Sequence, residues 1–138
     1  MKTQSLISTS LSAMILGGMV NISAQDYSGS QNITGGIITS GSDNTTNFNG
    51  DGNTVNEING GITSSDGNNI VNFNAGTNTV IGKVGIAGNN SSVTVNFNDQ
   101  TKTNTIRGFV YTGYNRTTKV DMKGSVSNIV DGYVLGES

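Results

Sequence analysis

The amino-acid sequence predicts an all-β protein, a right-handed parallel β-helix of about four coils of roughly 25 residues, behind a signal-like segment at residues 1–24. Three observations carry this reading. The word Asn-Phe-Asn recurs at residues 47–49, 72–74 and 96–98, and a further step of the same length lands on Met122. Within each lap the rhythm has period 2, as in Ile70-Val-Asn-Phe-Asn74 and Val93-Thr-Val-Asn-Phe-Asn98, which is the grammar of a strand. The intervals are runs of Gly, Asn, Ser and Asp, such as Gly50-Asp-Gly-Asn53 and Ala87-Gly-Asn-Asn-Ser91, which are turn residues because Gly and Asn tolerate positive φ.

Composition by itself points elsewhere. Only 33% of residues are hydrophobic and 12% are charged, and a chain this poor in large apolar residues normally stays disordered. The net charge of −2 supplies little self-repulsion to hold it expanded, and the periodicity decides for a repetitive β architecture.

Each lap divides into three short strands. The first lies near Ile33–Thr39 and its copies, the second ends in the Asn-Phe-Asn word, and the third carries Asn-Thr-Val at 53–55 and 78–80 and Asn-Thr-Ile at 104–106. Stacking the laps makes equivalent positions vertical neighbours, about 4.8 Å apart. Phe48, Phe73, Phe97 and Met122 then fill one column. Thr46, Val71, Val95 and Val120 fill a second, and Ile37, Ile62, Ile86 and Tyr111 a third. Asn53, Asn78 and Asn104 are expected to form an amide ladder of the kind seen in cross-β stacks. A thin but continuous interior of this sort lets a chain with few apolar residues fold.

Residues 1–24 read differently. Lys2 is followed by an apolar run from Leu11 to Val20, and Ser23 and Ala24 precede Gln25. Basic start, apolar middle and small residues at the end are the layout of a secretory signal peptide, and the apolar run is too short to span a bilayer. Stepping the inward positions Ile33, Ile37 and Phe48 back by one lap gives Ser8, Ser12 and Ser23, which cannot fill an interior. The solenoid is therefore expected over residues 25–138.

The sequence offers no catalytic, cofactor-binding or metal-ligating set. There is no His and no Cys, so nucleophilic sites built on His and the usual zinc sites are excluded. The acids Asp43, Asp51, Glu57, Asp66, Asp99, Asp121 and Asp131 share no column, whereas a polysaccharide-active β-helix enzyme needs paired carboxylates. Thr54, Thr79 and Thr105 form one column, the feature an ice-binding solenoid would use, but it stops at Ile129. The mildly acidic balance gives no attraction to nucleic acid. The candidate binding patch is Arg107, Tyr111, Tyr114 and Arg116, since Tyr and Arg are enriched at binding hot spots.

The words Asn-Phe-Asn, Asn-Thr-Val and Gly-Gly-Ile, repeated on this period from about Ile33 to Val130 behind a signal-like segment, resemble the passenger domains of autotransporters of type V secretion, in particular the Asn/Gly-rich, vacuolating-cytotoxin-like passengers. The resemblance implies a non-enzymatic β-helix that is secreted or displayed on a bacterial cell surface, or left in the periplasm if translocation fails. It implies adhesion or toxin action, with a host surface protein or glycan as partner. It also implies a C-terminal outer-membrane β-barrel, and the closing residues Asp131–Ser138 carry no alternating barrel strands, so the chain reads as a passenger fragment. The last coil is expected to leave an open sheet edge through which the protein self-associates.

Overall fold

The computed structural model describes residues 25–39, 43–86, 91–113, 116–123 and 127–136. The signal-like segment at 1–24 lies outside the described residues. Those described form a parallel β-solenoid with three faces. The first face stacks β2 (Gln31–Thr34), β5 (Val55–Asn59), β8 (Thr77–Ile81) and the leading halves of the long strands β11 (Thr103–Thr112) and β13 (Ser127–Gly136). The second stacks β3 (Ile37–Thr39), β6 (Ile62–Ser64), β9 (Val84–Ile86) and the trailing halves of β11 and β13. The third stacks β1 (Gln25–Tyr27), β4 (Asn44–Phe48), β7 (Gly67–Phe73), β10 (Ser91–Phe97) and β12 (Thr117–Met122). Every pairing is parallel and joins one lap to the next.

The aromatic column is present. Phe48 pairs with Phe73, Phe73 with Phe97 and Phe97 with Met122. The three Phe side chains are fully buried, their rings stacked at 4.7 and 4.9 Å with interplanar angles of 15° and 6°. The spacing is that of hydrogen-bonded strands, so ring stacking and backbone pairing share one repeat. The column also starts a coil earlier than Ile33. Tyr27 lies beneath Phe48 with its ring 5.0 Å away, and burial raises its phenol above the ordinary value. A uniform step back passes Tyr27 because the loop after β1, residues 28–30, is shorter than the loop after β4, residues 49–54.

Unequal loops also correct two of the expected columns. Ile62 pairs with Val84, not Ile86, and Val84 pairs with Val110, not Tyr111. The corner between β9 and β10 is two residues longer than that between β6 and β7, so a fixed count back from Phe97 stops two residues short, at Ile86. In the second face the buried column is Ile37, Ile62, Val84 and Val110. Likewise Asn53 is not in the amide ladder. Asn56 pairs with Asn78, so the first Asn-Thr-Val word is displaced by three residues, and Val55 is 57% exposed. Thr54 thereby leaves the supposed Thr column, where Glu57 stands beside Thr79.

The ladder itself is built inside the first face. The Asn56 amide donates to Asn78 Oδ1 at 2.8 Å, Asn78 to Asn104 at 3.1 Å and Asn104 to Asn128 at 3.3 Å. Asn56, Asn78 and Asn104 are buried, so each bond replaces water for a group whose exclusion would otherwise cost about 1–3 kcal/mol. Two further ladders run along the outside of the third face. Asn96 donates to Asn72, Asn72 to Asn47 and Asn47 to Asp26, each at 2.8 Å. Asn98 donates to Asn74 at 2.8 Å and Asn74 to Asn49 at 2.7 Å. The Asn residues flanking each Phe thus point outward and zip the coils while the Phe points in.

The corner between the first two faces is a glycine column: Gly35, Gly60, Gly82, Gly108 and Gly132. With it, the alignment resolves into one seven-residue word, Asn/Gln-x-Ile/Val-x-Gly-x-Ile/Val, at 31–37, 56–62, 78–84, 104–110 and 128–134.

Asp99 clamps another corner. Its Oδ1 accepts from the Thr101 hydroxyl at 2.7 Å and the Thr101 amide at 2.9 Å, and its Oδ2 accepts from the Gly76 amide one lap below at 3.0 Å. The Thr101 hydroxyl first, then the two amides and the Lys102 charge, hold this carboxyl below its usual range. A depressed folded-state pKa means stability that is present above the unfolded value of 3.8 and lost as pH falls through the lower folded value. The difference in Tm between the native chain and Asp99→Asn is therefore expected to shrink as pH is lowered from about 6 towards about 2. A constant difference over that range would remove the carboxylate charge from this account.

Candidate functional site

Strand alternation places the side chains of β11 and β13 alternately in and out. Ile106 and Val110 turn inward, and Phe109 and Tyr111 turn outward on the second face. One coil on, Tyr133 stands beside Phe109 and Leu135 beside Tyr111. The Phe109 and Tyr133 rings stack at 5.9 Å and 13°. One coil back, the Lys83 ammonium sits 4.7 Å from the centroid of the Tyr111 ring, an arrangement that contributes roughly 0.5–1 kcal/mol at an exposed site. Lys83, Phe109, Tyr111 and Leu135 line a depression of about 260 Å³.

The shape follows from the columns. Below Tyr111 the same outward column runs through Gly85, Thr63 and Ile38. Large side chains in the last coils thus stand above smaller ones, and the face has a ledge. Its composition is also local. Apart from Val55, the large exposed apolar side chains among the described residues are Phe109 on β11 and Ile129, Val130, Tyr133, Val134 and Leu135 on β13. The third face, by contrast, is covered by amide ladders.

Of the four residues the sequence singled out, the structure brings two together. A Cβ built on Gly113 would lie 3.0 Å from the Arg116 guanidinium and 3.6 Å from the Tyr111 hydroxyl, so both side chains converge over that glycine. Arg107 is exposed but belongs to the first face, beyond the Gly108 corner. Tyr114 lies outside the described residues. Phe109, Tyr133, Leu135 and Lys83 escape sequence reasoning that follows the aromatic of the Asn-Phe-Asn word. The signal is present in Gly108-Phe-Val110 and Gly132-Tyr-Val134, one lap apart.

No group of three or more acidic side chains among the described residues is placed to hold a metal ion. Asp121 lies 3.9 Å from Lys119 and 3.8 Å from Lys123, but these ion pairs are exposed and contribute little. Among the described residues, no helix is long and apolar enough to cross a membrane.

Fold and surface together define a class: a parallel β-solenoid with an aromatic ledge on one face. Compared with known proteins, the chain matches no family model, no curated protein and no solved structure.

Proposed function

We propose that this protein is a secreted or surface-displayed, non-enzymatic β-solenoid, the passenger part of an autotransporter-like adhesin or toxin, and that it meets a host surface protein or glycan through the second-face ledge. The observation that supports this reading most is that, Val55 apart, the large exposed apolar side chains among the described residues gather on the last two coils, where Phe109, Tyr111 and Leu135 line the ledge. Exposed apolar patches with a cationic rim mark interaction sites, and aromatic anchors supply most of the energy at such contacts. The Asn, Gly and Thr repeats supply a rigid scaffold on which the ledge is held.

The experiment is binding of purified residues 25–138 to glycan arrays and to host cell surfaces, with Phe109→Ser and Tyr111→Ser as variants. Loss of a hot-spot aromatic costs about 2 kcal/mol or more, so binding is expected to weaken at least roughly tenfold in each variant with unchanged circular dichroism. Binding that persists undiminished in both variants would move the contact elsewhere. Failure of the native chain to bind any such surface would reject the adhesive role. N-terminal sequencing of the exported chain checks the remaining part of the reading, with Gln25 as the expected first residue.

A further inference from the structure

Two asparagines of the chain are followed directly by glycine, in Asn49-Gly50 and Asn59-Gly60. An asparagine side chain is open to attack by the backbone nitrogen of the next residue, and a glycine there carries no Cβ to obstruct the approach. The two sites share this chemistry and have opposite surroundings.

At Asn59 both reacting groups are tied. The Gly60 amide donates to the Ile81 carbonyl of the next lap at 2.9 Å, and the Asn59 side-chain amide donates to Glu57 Oε1 at 2.6 Å. Attack there must first open an inter-lap hydrogen bond of the glycine corner. At Asn49 neither group is tied. Asn49 follows β4 and is exposed, and the Gly50 amide and Asn49 Nδ2 have no acceptor among the described residues. Asn49 is also the bottom rung of the outer ladder that descends from Asn98 through Asn74. Its Oδ1 accepts from Asn74 Nδ2 at 2.7 Å. That donor withdraws electron density from the side-chain carbonyl and stands where negative charge develops when the carbonyl becomes tetrahedral. The Asn49 backbone is meanwhile held by its amide, which donates to the Tyr27 carbonyl at 2.7 Å.

We infer that Asn49 is a self-modification site, at which this rung converts from carboxamide to carboxylate. The Gly50 nitrogen bonds to Asn49 Cγ and gives up its proton. The Cγ–Nδ2 bond breaks, and ammonia leaves with that proton, closing a cyclic imide. Water, the one co-reactant, then opens the ring. Cleavage of the new N–Cγ bond gives aspartate. Cleavage of the bond between that nitrogen and the Asn49 backbone carbonyl gives isoaspartate, whose main chain is longer by one methylene. Either product adds a negative charge and still offers Asn74 an acceptor. The isoaspartate also lengthens the loop at 49–54, the segment whose length brings Asn56 under Asn78. The site lies at the corner between the third and first faces, whereas the proposed ligand contact is on the second, so the two ideas fail independently.

The test is incubation of the folded full chain at mildly alkaline pH, with ammonia release and peptide mapping by mass spectrometry as readouts. Asn49 is expected to convert at least roughly tenfold faster than Asn59, a ratio that corresponds to about 1.4 kcal/mol of opening cost at the second site. In urea sufficient to unfold the chain, the two rates are expected to converge. Asn74→Ala removes the donor to Asn49 Oδ1 from an exposed rung, and it is expected to slow conversion at Asn49 severalfold with native circular dichroism and no change at Asn59. No conversion at Asn49, equal rates in the folded chain, a ratio that survives unfolding, or an Asn49 rate not lowered by Asn74→Ala would each overturn the inference.

Discussion

Phe73→Ala is expected to destabilise the solenoid by about 3–5 kcal/mol, the range for emptying a fully buried aromatic site. The upper part of that range is anticipated because the cavity cannot close. Phe48 and Phe97 lie 4.7 and 4.9 Å to either side, and their separation is set by the strand hydrogen bonds of β4, β7 and β10. Relaxing the rings towards each other would require breaking those ladders. Phe73→Met is the informative partner, since the column itself ends in Met122 and volume-conserving apolar changes usually cost less than about 1.5 kcal/mol. Equilibrium denaturation in urea measures both. A loss below about 1 kcal/mol for Phe73→Ala would show that the column is not the shared interior described above. Because each coil touches only its neighbours, the variant is also expected to uncouple the coils, which amide exchange would register as unequal protection on the two sides of β7.

Gly108→Ala is expected to cost about 2–4 kcal/mol, from backbone strain together with a lost inter-coil hydrogen bond. Gly108 has φ +145°, and a Cβ there would run into the Gly82 carbonyl oxygen. The Gly82 amide in turn donates to the Arg107 carbonyl at 2.8 Å, so the lower chain cannot retreat without breaking that bond. Gly82 is itself under constraint, with φ +119° and its own Cβ position 2.9 Å from the Gly61 amide nitrogen. A shift at one level is therefore passed to the next. Gly29→Ala provides the contrast, since a Cβ there meets nothing within 4 Å, and it is expected to change stability by less than about 0.5 kcal/mol. Equal melting temperatures for the two variants would dismiss the corner column as a structural requirement.

Much of this architecture is legible in the linear sequence, and the reason is physical. A strand that must lie on its own copy has to repeat its residue types, so Phe48, Phe73, Phe97 and Met122 announce both the lap length and the inward face. The flanking Asn residues announce the outward ladders in the same way. Where counting fails, the strand chemistry is uniform and the loops are not. Asn53-Thr-Val55 and Asn56-Glu-Ile58 both offer an Asn two residues before an aliphatic, and only the length of the loop at 49–54 selects the second. Ile86 takes the place of Val84 in the expected column for the same reason, through the extra residues at the β9–β10 corner. The heptapeptide word shared by all five laps fixes both, because its glycine marks the corner independently of loop length.

The ledge is the least legible feature. Residue type points to Tyr111 and Arg116, and they do converge over Gly113. Yet a fixed lap length also counts Tyr111 as an inward residue, and its true partners, Lys83 and Leu135, are remote in sequence and carry no shared motif. Arg107, chosen on the same grounds, falls on the other side of the corner.

The repeat in the chain by itself determined the class of fold, the strand content and the identity of the central column, because stacking forces like residues into vertical register. Tertiary structure alone decided which of two similar words enters the ladder, where Tyr27 joins the stack, and which side chains gather at the ledge. Those outcomes depend on loop lengths and on the path around three corners, and hydrophobic period contains no information about either.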